Sequence, residues 1–203
     1  MLDNIEDLIY IIPVLLISLT VHEYAHALAS YKLGDKTAKS DGRLSLNPLK
    51  HIDMVGFFSL IVFGFGWAKP VNINSNNYKN PIRDTAIVAA SGPISNFLMA
   101  FIGVLLYALV IKTNSSVTLI KLLSIFISYN VVLGVFNLFP IPPLDGSKIL
   151  AGVLPDSIYY KYLSLEKYGF IIIFALLFFY PDIFDIIIEP VLNFYNTILL
   201  KLI

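Results

Sequence analysis

Three apolar runs, residues 8–31, 85–111 and 118–139, are each long enough to cross a bilayer. A hydrocarbon layer about 30 Å thick takes about 20 helical residues. A backbone inside lipid has no water to bond to, so a crossing segment must satisfy its own N–H and C=O groups, as a helix does. Composition agrees: 57% of the residues are hydrophobic and 14% are charged, where an ordinary soluble domain carries about a quarter charged. Fourteen Lys plus Arg balance fourteen Asp plus Glu. There is no basic surplus from which to build a nucleic-acid footprint, so lipid is the expected surrounding and no nucleic acid the expected partner.

The first run could imitate a secretory signal, because Ala27-Leu28-Ala29 offers small residues at its end. Its leading flank, however, carries Asp3, Glu6 and Asp7 where a signal needs positive charge, and the run is long, so it reads as a retained membrane helix. A fourth run at 168–180 is shorter, and the tail 183–203 is interrupted by Asp185, Glu189 and Pro190. This last pair reads as a helical hairpin or as one span plus an interfacial helix. Residues 54–67 are apolar but too few, rising only about 21 Å as a helix, and Gly64 and Gly66 weaken a helix there. They are expected to dip in and return. The fold class is therefore an all-α polytopic membrane protein with about four to six transmembrane helices and a short re-entrant element, helical or a β-hairpin, at 54–67. A single domain over residues 1–203 is expected, with no linker or internal repeat.

Basic residues orient the chain. Lys32, Lys36, Lys39, Arg43 and Lys50, then Lys69, Lys79 and Arg83, flank the 54–67 segment on both sides, which marks both flanks as cytoplasmic. The acidic N-terminus and the 182–189 region then lie outside, with Lys112 and Lys121 as minor exceptions.

Inside the first run stands His22-Glu23-Tyr24-Ala25-His26. Residues four apart on a helix return to the same face, so both imidazoles can reach one metal ion with a carboxylate beside them. A glutamate in the hydrocarbon region costs a few kcal/mol unless it has a partner, so such a cluster marks a functional site. The chain has no cysteine and three histidines, which confines strong ligands to His, Asp and Glu. Catalytic zinc takes three protein ligands and leaves a position open. The third is sought in Asn137 through Gly146, where Pro140, Pro142 and Pro143 end a helix and present Asp145. Asp145 could equally cap a short helix starting near Ser147. Topology decides for the ligand: if 54–67 is re-entrant, Asp145 emerges on the same side as His22 and His26; if it spans, Asp145 emerges opposite.

These two motifs resemble the site-2 protease family of intramembrane zinc metalloproteases, in its compact branch without appended PDZ or CBS domains. Ser91-Gly92-Pro93-Ile94-Ser95-Asn96 resembles the GPxxN element of that family, and Gly42-Arg43-Leu44-Ser45-Leu46-Asn47-Pro48 and Gly66-Trp67-Ala68-Lys69-Pro70-Val71 resemble its basic loop. The likeness runs from about residue 15 to 155, about 70% of the chain. It implies one zinc ion per chain held by His22, His26 and Asp145, with Glu23 as general base. It further implies that Asn137 supports the site or the substrate backbone, and that 54–67 forms a hairpin presenting a strand edge to an unwound substrate. The implied activity is hydrolysis of peptide bonds within or near transmembrane segments of other membrane proteins, that is, regulated intramembrane proteolysis in the cell membrane. The active site would lie nearer the cytoplasmic side.

Weaker readings attach to other polar residues. Asn96 reads first as packing glue between helices and second as a site residue. Gly92 and Pro93 read as permitting close helix approach or a kink, and His51 as solvated or structural ahead of metal binding. The alternative from another class is a catalytically silent protein that binds transmembrane segments, disfavoured because Glu23 and all three ligand candidates are kept together. Metal transport ranks last, since a transporter spreads polar residues along several spans.

Overall fold

The computed structural model describes residues 7–63, 66–113, 116–180 and 182–203. Five helical stretches among them are long and apolar enough to cross a membrane: Leu8–Lys32, Pro81–Lys112, Val117–Asn137, Ser157–Phe179 and Asp182–Leu202. In chain order, α1 (Leu8–Lys32) is followed by a single turn, α2 (Thr37–Ser40), and by α3 (Met54–Phe63). The long helices α4 (Pro81–Lys112) and α5 (Val117–Asn137) come next, then α6 (Asp145–Ala151) and α7 (Asp156–Leu163). Finally come α8 (Gly169–Phe179) and α9 (Asp182–Leu202). The run at 168–180 thus reaches spanning length by joining α7 through a tight 3-10 turn, and the tail forms a second long helix.

α3 is ten residues long, a rise of about 15 Å that covers half a bilayer. Its ends are tied together: Ile52 and Ala68 form an isolated antiparallel bridge, and the Lys69 N–H donates to the His51 carbonyl at 2.9 Å. The segment therefore leaves and returns at one level. Between the helical and hairpin alternatives, residues 54–63 are helical, which corrects the strand edge expected there. Gly64 and Phe65 lie outside the described residues. Physics favours this outcome, because a helix closes its own backbone bonds in an apolar setting whereas a two-stranded hairpin leaves two edges unpaired. Gly56 lets the returning chain press in: a Cβ there would lie 2.2 Å from the Trp67 carbonyl oxygen.

α1, α4 and α5 pack as a three-helix unit, and α9 closes it against α4 and α5. The core runs through Ala100, Val104, Ile127, Val131 and Val135, and reaches Phe184 and Ile188 of α9. Small residues permit the approach: Ala100 is fully buried, and Gly103 and Gly134 face Ile127 and Phe97 across the seam. Tyr195 of α9 donates to the Phe97 carbonyl at 2.8 Å. Three polar side chains, Ser18, Asn96 and Asn130, are also fully buried in this unit.

The C-terminal end of α1, the N-terminal end of α4 and the C-terminal end of α5 lie at one level, where the prolines after Asn137 stop α5 and turn the chain into α6. That arrangement requires residues 33–80 to begin and end on one side, as the re-entrant α3 allows.

Candidate metal centre

α1 presents His22 and His26 one turn apart, and α6 brings Asp145 against them. The His22 Nε2 to His26 Nε2 distance is 3.0 Å. Asp145 Oδ2 lies 3.1 Å from His22 Nε2 and 3.2 Å from His26 Nε2. All three residues are buried. Asp145 is the first residue of α6, preceded by Leu144 as N-cap, and its side chain makes no capping bond. The helix-cap alternative is thereby set aside, because the carboxylate is turned to the imidazoles.

The donor chemistry tests whether a cation fits. His26 Nδ1 lies 2.8 Å from the Val88 carbonyl. A carbonyl only accepts, so this nitrogen carries a proton, and in the neutral imidazole His26 Nε2 carries the lone pair. That lone pair, His22 Nε2 and a buried Asp145 Oδ2 that has no hydrogen-bond donor among the described residues all converge on one point. Electron-rich atoms at such distances repel unless a cation sits between them. Zinc bonds of about 2.0–2.1 Å put tetrahedral ligands about 3.3 Å apart, and the observed triangle of 3.0, 3.1 and 3.2 Å is close to one face of that figure.

α4 forms the back wall. Gly92 is where its backbone meets both rings: a Cβ there would lie 2.5 Å from His26 Cε1 and Nε2 and 2.6 Å from His22 Cε1. The close approach read from this glycine is thus an approach to the histidines. One turn on, Asn96 places its Oδ1 2.6 Å from His22 Nδ1.

Glu23 points out of the triangle and accepts from the Val71 N–H at 2.9 Å. Val71 belongs to the stretch between α3 and α4, whose far end is fixed by Asp35. That buried carboxylate accepts from the Asn74 N–H at 2.8 Å, Asn77 Nδ2 at 2.7 Å, Thr37 Oγ1 at 2.6 Å, the Thr37 N–H at 3.0 Å and Ser30 Oγ at 3.0 Å. Burial works to raise the Asp35 pKa, and these donors together hold it below the ordinary value instead. A cavity of about 140 Å³ opens in front of the triangle, lined among others by Glu23, Val71, Asn137, Asp145 and Lys148. That is room for water beside the carboxylates. Asn137 donates its Nδ2 to the Leu133 carbonyl at 3.0 Å and borders the cavity without touching the triangle.

His51 is away from the centre and buried, its Nε2 2.8 Å from the Ser45 carbonyl oxygen. Sequence reasoning did not single out the Val71 N–H, the Val88 carbonyl or Lys148. The first two are backbone groups with no side-chain signature. Lys148, three residues after Asp145 on α6 and so on the same helical face, was within reach of periodicity.

Comparison with known proteins converges on one family. The profile of Peptidase family M50 matches residues 10–118 and 106–180. YwhC of Bacillus subtilis, provisionally named a zinc metalloprotease, is 41% identical over 95% of this chain and 90% of its own length. Rip2 of Mycolicibacterium smegmatis is 30% identical over 80% of this chain and 64% of its own, and MJ0611 of Methanocaldococcus jannaschii 30% over 72% and 73%; both carry the same provisional description. No solved structure matches the chain at the same stringency. With a profile that spans most of its length and a relative at that identity across nearly all of it, the chain belongs to peptidase family M50, the site-2 protease family.

Proposed function

We propose that this chain is a zinc endopeptidase that hydrolyses peptide bonds within or near transmembrane segments of other membrane proteins. The observation that carries the proposal is the convergence of His22 Nε2, His26 Nε2 and Asp145 Oδ2 within a bundle of membrane-length helices, with Glu23 beside them held by the Val71 N–H.

In this reading His22, His26 and Asp145 hold one zinc ion. When bound, zinc supplies Lewis acidity to polarise a peptide carbonyl and bring a water pKa towards about 7. Glu23 is the general base: its carboxylate takes a proton from the attacking water and hands it to the departing amine. The Val71 N–H fixes one carboxylate oxygen at 2.9 Å, and Glu23 lines the cavity. Asn137 and Asn96 are supporting residues, the first at the cavity wall and the second behind His22. The enclosing helices keep bulk water out, which strengthens every charge interaction inside. Lysine and arginine crowd the loops at the centre's end of the bundle, so the active site faces the cytoplasmic half of the cell membrane.

Glu23→Gln separates this reading from that of a silent binder of transmembrane segments. The amide keeps shape and leaves the ligands in place but cannot take a proton. With a reconstituted single-span substrate, cleavage should fall by at least about 100-fold while zinc content stays near one per chain. Cleavage at the wild-type rate would overturn the general-base role of Glu23, and no cleavage by the wild type of any transmembrane substrate would favour the binder.

A further inference from the structure

A chain of hydrogen bonds leads away from the metal centre into the driest part of the bundle, where none of its outer members is explained by catalysis. Asn96 Oδ1 is 2.6 Å from His22 Nδ1. The Asn96 Nδ2 donates to Asn130 Oδ1 at 3.0 Å and faces the Ser18 carbonyl at 3.4 Å. The Asn130 Nδ2 in turn donates to the Phe126 carbonyl and to Ser18 Oγ, both at 2.8 Å. Ser18, Asn96 and Asn130 have zero exposure, so no water can stand in for a missing partner.

The far end of this chain decides its direction. A backbone carbonyl can only accept, so Phe126 obliges Asn130 to aim its NH₂ there and its oxygen at Asn96. Asn96 must then turn its NH₂ to Asn130, where the Ser18 carbonyl gives a second reason for the same choice. Only the Asn96 oxygen is left for His22, whose Nδ1 must donate, so that the neutral ring carries its lone pair on Nε2, facing Asp145 and His26. Reversing the histidine tautomer would turn both amides round and set oxygen against oxygen at Phe126 and at Ser18. Each buried polar group left unpaired costs about 1–3 kcal/mol.

We propose that Asn130 is a positioning residue of the metal centre: anchored on the Phe126 carbonyl, it holds the Asn96 amide in the one orientation that keeps His22 Nε2 unprotonated and aimed at the metal. This rests on the zinc-site reading above. Its logic is that of an outer hydrogen-bond partner that fixes a ligand's tautomer and ring angle, extended by one residue and terminated on a helix backbone.

The test measures zinc affinity by chelator competition, and the absorption bands of the cobalt-substituted protein, for wild type, Asn130→Leu, Asn96→Leu and the double variant in detergent. Circular dichroism reports whether the helices persist. Asn130→Leu should bind zinc about tenfold more weakly with shifted cobalt bands, and the double variant should be no weaker than Asn96→Leu alone, because Asn130 acts only through Asn96. A purely structural Asn130 would lower thermal stability without moving the cobalt bands, and its losses would add to those of Asn96→Leu; either result overturns the proposal. So does zinc affinity within twofold of wild type in a folded Asn130→Leu. Asn130→Ala removes the same amide without adding bulk and is read in the same way where the leucine is not accommodated. A wild type that holds no zinc overturns the metal-site reading and this proposal with it, whereas a zinc-loaded wild type indifferent to Asn130 overturns this proposal alone.

Discussion

Gly92→Ala adds a single methyl group to the back wall of the centre, and its effect can be worked out from the contacts it would make. The new Cβ would lie 2.5 Å from two atoms of the His26 ring and 2.6 Å from one of the His22 ring. Ordinary carbon contacts begin near 3.5 Å, so something must move by about an ångström. α4 runs from Pro81 to Lys112 and is packed against α1, α5 and α9, while each ring is tethered behind by Val88 or Asn96. Overpacking of this kind costs about 1–3 kcal/mol. Metal ligands tolerate displacements of only about 0.2 Å, so the strain falls on the zinc site, and 1–3 kcal/mol corresponds to an affinity loss of about 5- to 150-fold. Chelator competition on the purified protein measures it. Gly103→Ala is the control: its Cβ would press on the Ile127 side chain at 2.8 Å, far along α4 from the centre, and should lower stability without changing zinc affinity. Zinc affinity within twofold of wild type in a folded Gly92→Ala would refute the reasoning, because it would mean that the rings do not sit where a β-carbon excludes them.

Two further outcomes follow from the same geometry. Asp145→Ala should empty the centre, taking zinc per chain from about one to well below half by elemental analysis, since two imidazoles alone make a poor site; undiminished zinc would send the third ligand elsewhere. Asp35→Asn should lower thermal stability at pH 7 and flatten its acid dependence: a carboxylate held below its ordinary pKa stabilises the fold above about pH 4 and loses that contribution as pH falls further, so the variant has less to lose. Melting curves between pH 7 and 3 that run parallel for the two proteins would refute the assignment of that carboxylate as a charged hub.

The triangle of His22, His26 and Asp145 is legible in the amino-acid sequence because helical period and membrane length are written in side chains. His22 and His26 share a face by spacing alone, and Asp145 follows a proline cluster that no helix can continue through. What the sequence leaves open at Asp145 is a choice between cap and ligand. The fold turns the side chain away from the cap role, since Leu144 occupies the cap position and the carboxylate lies against His22 and His26. The state of 54–67 is less legible. Its residues are too few to span in either form, and glycines fit a helix end as well as a hairpin turn. The deciding term is the backbone's need for partners in an apolar setting, which favours the helix Met54–Phe63.

Asn96 and Asn130 mark where reading side chains in sequence runs out. Thirty-four positions separate them, and each alone is an ordinary polar residue in a membrane helix, as apt to glue helices as to serve chemistry. Their roles differ by the identity of the atoms at either end of the chain they form: a backbone carbonyl at Phe126, which has one hydrogen-bonding behaviour, and an imidazole at His22, which has two. A fixed end imposes its choice on the variable one. The buried asparagines are therefore more than polar residues tolerated in a membrane bundle; they carry a constraint from α5, across α4, to the helix that bears both histidines.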